Sequence, residues 1–248
     1  MHAPREPQRT DAIPVDLLLL AYRNGIFPMA DSREDREVFW VEPRERAIIP
    51  IGGFQCSRSL ARTIRRDVFT VTCDKDFDDV VSACAAPRPE HPESWISDRI
   101  RASYRQLYKA GHAHSIECWQ DGQLVGGVYG VAFDRVFCGE SMFSRRRDAS
   151  KVALAWLLAL LERAGCVLFD CQFMTPHLAS LGAVEISQPD YLARLAEARG
   201  RQLMTLPQAY SALLSEASSS ASGAGEDDAA GGALSPGYVI AQSLTQTS

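Results

Sequence analysis

The period of hydrophobic and polar positions changes several times along this chain, and its most informative stretch lies between Gly111 and Phe143. Ala113 to Trp119 alternates, with His114, Ile116 and Cys118 on one face and Ser115, Glu117 and Trp119 on the other, the period of a half-buried strand. Gln120-Asp121-Gly122 predicts a tight hairpin, and Leu124 to Phe133 a second strand. That strand carries Gly126, Gly127 and Gly130 where branched side chains would pack, so a bulge or a close backbone approach is expected. After a turn at Asp134-Arg135, a third strand runs through Val136-Phe137-Cys138 into Gly139-Glu140-Ser141-Met142-Phe143-Ser144. A carboxylate and a serine at the end of an apolar strand are typical of a functional site.

The flanking patterns are mostly helical. Pro14 to Asn24 predicts a helix stopped by Gly25, Ile26 to Met29 an extended exit, and Phe39-Trp40-Val41 a short strand. Glu42 to Pro50 reads as a connection, and Gly52-Gly53 as a hinge that puts a domain boundary near Phe54. Ser57 to Arg66 is a capped helix with Leu60 and Ile64 on one side and Arg58, Arg62, Arg65 and Arg66 on the other. Val68 to Thr72 is a strand, and Asp74 is expected to cap a helix carrying Phe77, Val80, Val81 and Cys84. A proline-bearing loop leads to Trp95 and to a helix ended by Gly111.

Beyond the three strands, Ala149 to Ala164 is an apolar helix that Asp148 or Ser150 can cap. Cys166 to Gln172 is a fourth strand with Asp170 and Gln172 on one face, two residues apart. Short helices follow at Thr175 to Leu181 and Pro189 to Arg199. Ser215 to Gly232 has the composition of a disordered linker, and Tyr238 to Ser248 is expected to return as a strand. The division predicted is a small N-terminal domain at 1–54, a main domain at 55–211, and an acidic linker with a C-terminal tail at 212–248. The class is α+β.

Composition narrows the choices. An apolar fraction of 46% with 23% charged residues fits a soluble globular protein, and no apolar run approaches the roughly 18 residues of a membrane span. Seven cysteines without a Cys-x-x-Cys pair point to reduced thiols and a cytoplasmic setting. The net charge of −5 comes largely from Glu216, Glu226, Asp227 and Asp228, so the body, with 26 basic against 27 acidic residues, is nearly neutral. A polyanionic partner would then be recognised by clusters, and Arg58 to Arg66 and Arg145-Arg146-Arg147 are the two candidates.

A strand meander, a capped helix and a further strand is the order of acetyltransferase-type folds. An acyl-CoA enzyme of that type needs a glycine-bearing loop to close on pyrophosphate, and Arg145-Arg146-Arg147-Asp148-Ala149-Ser150 has no glycine. CoA is therefore disfavoured. Other chemistry stays open: His112, His114 and Cys118 as metal ligands, Cys171 as a nucleophile with His177 as its base, or a catalytically silent nucleic-acid-binding module.

A more specific pattern lies in Tyr22-x-x-Gly25-x-Phe27-Pro28, Trp40-x-x-Pro43-x-x-Arg46, Trp95-Ile96, residues 111–119, residues 124–130, residues 139–144, Asp170-Cys171-Gln172 and His177-x-x-Ser180-Leu181-Gly182-Ala183. Over most of residues 14–200 the chain resembles the bacterial leucyl/phenylalanyl-tRNA protein transferases. The resemblance implies a small N-terminal domain and an acetyltransferase-like (GNAT-type) mixed-sheet main domain. It also implies transfer of Leu or Phe, with Met a further candidate, from aminoacyl-tRNA to proteins beginning with Arg or Lys. Such transfer marks proteins for degradation in the cytoplasm, with no cofactor, metal or membrane. Asp170, Gln172 and Glu140 become the catalytic candidates. Trp40, Trp95, Met142, Ser144, Gly126 and Gly127 become the substrate-binding ones, and Arg58, Arg62, Arg65, Arg66 and Arg145 those for tRNA. An aminoacyl ester is already activated, so aminolysis requires positioning, deprotonation and oxyanion stabilisation rather than ATP. In that scheme Asp170 receives the amine proton or orients Gln172, and Glu140 holds the cationic acceptor.

Overall fold

The computed structural model describes residues 12–87, 93–222 and 235–244. Its main sheet has seven strands in the order β4 (Thr70–Cys73), β5 (Ala113–Gln120), β6 (Gln123–Phe133), β7 (Val136–Ser144), β8 (Leu168–Gln172), β3 (Glu45–Ile49) and β9 (Val184–Ser187). All neighbours are antiparallel except β7 and β8, which run parallel. Asp121 and Gly122, both at positive φ, form the two-residue turn between β5 and β6, as the Asp-Gly pair predicts.

The sheet buries both faces. Helix α5 (Ala149–Arg163) crosses one face with α2 (Arg58–Arg65), α8 (Leu206–Ser222) and α9 (Pro236–Ser243), where Ile116, Phe137 and Phe169 meet Leu60, Leu157, Leu213 and Ile240. The other face carries α1 (Val15–Arg23), α3 (Phe77–Ala85), α4 (Asp98–Lys109) and α7 (Gln188–Glu197), which pack on Ile48, Tyr129 and Cys138. An antiparallel meander, the helix α5 and the parallel return strand β8 together make the acetyltransferase-like mixed sheet expected. Beside it, β1 (Phe27–Met29) and β2 (Phe39–Val41) pair as a separate two-stranded sheet. No helix among the described residues is long and apolar enough to cross a membrane.

Several local expectations need correction. Glu45 to Ile49 is an inner strand, not a connection; a fully buried Arg46 in a short apolar run disguises it as exposed chain. Asp76, not Asp74, caps α3 by accepting from the Asp79 N–H. Ser215 to Ser222 continues α8, whose Leu206, Ala209, Leu213 and Ala217 are buried at helical spacing despite the Ser/Ala composition. The rest of the expected linker, 223–232, lies outside the described residues. Tyr238-Val239-Ile240 is helical, because Ser235 caps the Tyr238 N–H and Pro236 starts α9. Gly237 lets α9 close on the Ile64 carbonyl, where a Cβ would collide.

Candidate active site

The parallel ladder between β7 and β8 ends at Cys138 and Asp170, so the two strands part beyond that pair. Both strands are irregular there. Gly130 faces Gly139 while the preceding Tyr129 faces Ser141, which makes Glu140 the extra, bulged residue of β7. Gly130 admits the bulge, since a Cβ there would enter the Phe137 ring and the Cys138 carbonyl. On β8, Asp170 and Gln172 face consecutive residues Ile48 and Ala47 of β3, so Cys171 is bulged. Gln172 has φ +65°, and the Phe173 N–H bonds to the Cys171 carbonyl at 2.9 Å, closing a strained three-residue turn around Gln172. The two irregularities turn Glu140 and Gln172 towards each other: Gln172 Nε2 donates to Glu140 Oε2 at 3.0 Å.

Glu140 is 8% exposed. Tyr22 of α1 donates to its Oε1 at 2.7 Å and Tyr104 of α4 to its Oε2 at 2.8 Å. Burial pushes the Glu140 carboxyl up to about 7, against the hydrogen bonds from Tyr22, Tyr104 and Gln172, with the Asp170 charge adding to the rise.

Asp170 has a different environment. It is 0% exposed and clamped by Arg46, itself 2% exposed, whose Nε donates to Oδ1 at 2.9 Å and whose Nη2 donates to Oδ2 at 2.6 Å. Tyr191 Oη donates to Oδ2 at 2.9 Å, Cys138 Sγ approaches it at 3.4 Å, and the Gln172 N–H donates to Oδ1 at 2.8 Å. An ionised carboxylate has about four lone-pair sites, and these donors fill them. Arg46 is held in turn by the Gly25 carbonyl and between the rings of Phe27 and Tyr191, 4.8 and 4.4 Å from their centroids. Burial pulls the Arg46 guanidinium down, and Asp170 more than offsets this, holding it above its ordinary value.

Further along β7, a cleft of about 400 Å³ opens between the end of that strand, the start of α5 and the end of α3, lined by Met142, Ser144, Arg145, Ser150 and His177. That volume lies in the range of small-molecule clefts. Arg145 is exposed at its rim, with its guanidinium over the Phe143 ring. Ser144 Oγ accepts from the Ser150 N–H at 3.3 Å and donates to the Arg146 carbonyl, so it closes the glycine-free loop onto the start of α5. Gly126 and Gly127 do not line the cleft. A Cβ on Gly126 would stand 2.5 Å from Ala149 Cβ, and one on Gly127 would press on the Ile116 carbonyl and the Phe143 ring. They are sites of close packing.

At the N-terminal corner, Trp40 pairs with Pro28 and is 43% exposed, and the Ala30 N–H donates to the Trp95 carbonyl. Phe27 stands edge-on to Phe173, the residue after Gln172, at 5.7 Å. Phe39, Trp40 and Phe173 are all exposed, and Phe27, in the strand paired with that of Phe39 and Trp40, links the two-stranded sheet to the strained turn. Arg58, Arg62, Arg65 and Arg66 are all exposed on α2. Among the described residues none of them is in an ion pair, and they stand apart from the Glu140 cluster.

The family model described as leucyl/phenylalanyl-tRNA protein transferase matches residues 48–196, and that of its N-terminal domain matches residues 11–44. The chain belongs to this family. It is accordingly an aminoacyltransferase. A leucyl/phenylalanyl-tRNA–protein transferase of Novosphingobium aromaticivorans is 59% identical, over 96% of this chain and 97% of its own. One from Rhizorhabdus wittichii is 57% identical over 76% of each chain. Among solved structures, a GCN5-related N-acetyltransferase-like protein from Streptococcus suis overlaps 76% of this chain and 63% of its own, at 14% identity and a TM-score of 0.30.

The other chemistries find no support in the side chains concerned. His114 Nδ1 is engaged by Asp74 at 2.6 Å, His112 faces the Ala132 carbonyl, and Cys118 lies in the core against α5. Among the described residues no three His, Cys, Asp or Glu side chains are grouped to hold a metal. Burial, with the Asp170 charge, pushes the Cys171 thiol far above its ordinary value, the opposite of an activated nucleophile. Sequence reasoning missed Tyr22, Tyr104 and Tyr191 as site residues, since each occupies an apolar helical position that reads as core. It missed Arg46 as well, although a lone arginine inside Arg46-Ala47-Ile48-Ile49 was the available signal.

Proposed function

We propose that this chain transfers Leu or Phe from the 3′ end of an aminoacyl-tRNA to the α-amino group of proteins beginning with Arg or Lys, in the cytoplasm, marking them for degradation. The observation that supports this most is the Glu140–Gln172 pair facing across the point where β7 and β8 part, in a chain of this family. Aminolysis of an activated ester needs an amine held against a carbonyl, and a buried carboxylate beside an amide suits that task. Glu140 holds the cationic acceptor terminus, and the Gln172 amide hydrogen-bonds the reacting groups. Asp170 is a positioning residue: its carboxylate is spent on Arg46, Tyr191 and the Gln172 N–H, so it acts by fixing the strained turn.

Met142 in the cleft receives the apolar side chain being transferred, while Trp40 and Trp95 offer rings to the terminal adenosine or the acceptor peptide. Arg145 and the α2 arginines meet tRNA phosphates. The division into a small N-terminal unit, a transferase body and a tail belongs to the same reading, with β3 counted in the body. The test is to mix the protein with labelled Leu-tRNA or Phe-tRNA and a peptide starting with Arg, without ATP. Label on the peptide is the expected result. Label that stays on tRNA, or that is lost only to water, refutes the reading.

A further inference from the structure

Three oxygens close a ring beside Gln172. Tyr22 Oη lies 2.7 Å from Glu140 Oε1, Tyr104 Oη lies 2.8 Å from Glu140 Oε2, and the two phenol oxygens are 2.9 Å apart. Each contact has hydrogen-bond length, and each needs one proton to be a hydrogen bond. The phenols bring two, and burial with the neighbouring Glu140 charge pushes both well above their ordinary pKa, so they keep them. With Glu140 ionised, three contacts share two protons. With Glu140 protonated, Oε1–H donates to Tyr22, Tyr22 to Tyr104 and Tyr104 to Oε2, and every contact is filled. Gln172 Nε2 donates to Oε2 in both states. The ring therefore has a place for one additional proton, and filling it requires the Tyr22 hydroxyl to rotate from Oε1 to Tyr104 and the Oε1–H to turn towards Tyr22.

No such place exists on Asp170, whose lone pairs are taken by Arg46, Tyr191, Cys138 and the Gln172 N–H. Glu140, with three donors, has one lone-pair site left, on Oε1.

We infer that Glu140, held in a ring with Tyr22 and Tyr104, receives the proton of the acceptor α-ammonium during aminoacyl transfer, and that Asp170 does not. This rests on the transfer reading above. The ammonium gives one proton to Glu140 and becomes an amine, whose nitrogen then forms a bond to the ester carbonyl carbon. Collapse of the tetrahedral oxyanion breaks the bond to the ribose oxygen, which takes the second proton from that nitrogen. The first proton leaves Glu140 to solvent before the next turnover.

The groups facing Glu140 agree with such a role. Tyr22 comes from α1, Tyr104 from α4, Tyr129 from β6, Cys138 from its own strand, and Gln172 with Asp170 from β8. The neutral ones give no compensating positive charge, and the Asp170 charge is matched by Arg46. Burial thus leaves Glu140 titrating at about 7, between its ordinary value and that of an α-amino group.

The test is single-turnover transfer from bound Leu-tRNA to an Arg-peptide as a function of pH, with the carboxylic C=O band of the free protein followed by infrared spectroscopy. The wild type is expected to show an acidic limb near 7, and a C=O band that fades over the same range. Glu140→Gln should lack that band and move the limb up to that of the acceptor amine, about 8. Its deficit should be about 100-fold on the acid side and fall below about tenfold on the alkaline side. Asp170→Asn should keep both limb and band, at a lower rate. A Glu140→Gln deficit equal at every pH, or a band unchanged by that substitution, overturns the inference. Absence of transfer by the wild type on every acceptor instead overturns the function, while the infrared titration still tests the ring.

Discussion

Breaking the Arg46–Asp170 pair from one side separates an anchor from a proton acceptor. Asp170→Asn leaves a guanidinium that is 2% exposed without its counter-charge, and uncompensated burial of that kind costs about 3–5 kcal/mol. At roughly 2–4 °C per kcal/mol for a chain of this size, the melting temperature should fall by about 10 °C. Arg46→Met should cost a similar amount, because the Asp170 carboxylate then keeps only Tyr191, Cys138 and the Gln172 N–H as donors. The double variant Arg46→Met/Asp170→Asn removes both charges, and its cost should fall below the sum of the single ones by more than about 1 kcal/mol. It also keeps an amide oxygen for the Gln172 N–H, so the strained turn has its support. Transfer in the double variant should therefore recover relative to Asp170→Asn, measured as single-turnover transfer from labelled Leu-tRNA beside calorimetric melting. If Asp170 were the proton acceptor, the double variant would regain stability and stay inactive. An Asp170→Asn protein melting within about 2 °C of wild type would refute the energetic reasoning itself.

Three further outcomes follow from other parts of the molecule. The Glu140 carboxyl is raised on folding, so the native state binds more protons than the unfolded chain between the ordinary glutamate value and about 7, and stability is lost as pH rises through that window. The loss is worth about 3 kcal/mol at most, and denaturant titrations of Glu140→Gln should show a flatter dependence over the same range. Changing Arg58 and Arg62 to Ala should reduce the salt slope of tRNA binding by about one to two units, and an unchanged slope would make the α2 face plain solvated surface. Ile240→Ala on α9 should destabilise by about 2–5 kcal/mol, since that side chain is fully buried against α2 and α5, and a neutral result in chemical denaturation would contradict its place in the core.

How far the sequence disclosed this arrangement depends on which signal each element carries. The β5–β6–β7 meander was legible because its turns are Asp-Gly and Asp-Arg and its side chains alternate, and α5 because its apolar run is long and closed by Gly165. Asp170 and Gln172 were legible as partners on one face of a strand end and Glu140 as a polar residue ending another, while the family resemblance joined the three into a set. Their division of labour was not. It depends on Arg46, more than a hundred positions from Asp170, and on two tyrosines from separate helices, and no local period reports a contact of that range. The tail was misread for the opposite reason: its composition is uninformative, and tertiary packing of Leu213, Ala217 and Ile240 decides in favour of helix.

The glycines of β6 connect these levels. Gly126 lets α5 seat its first turn on the strand, and the extra residue beside it, Val125, offers its carbonyl to the Arg145 N–H at 2.7 Å, which fixes the loop at the cleft rim. Gly130 admits the β7 bulge that turns Glu140 out of the strand's alternation and into the tyrosine ring. The third irregularity, at Cys171, brings Gln172 to meet it. Each is a break in the regular pairing of the sheet. A regular ladder through Gly139 and Cys171 would place successive side chains on opposite faces, and the carboxylate and the amide would lose their common orientation. The Glu140–Gln172 contact therefore exists because the sheet is irregular at these points, and Gly130→Ala should disturb Glu140 without touching it.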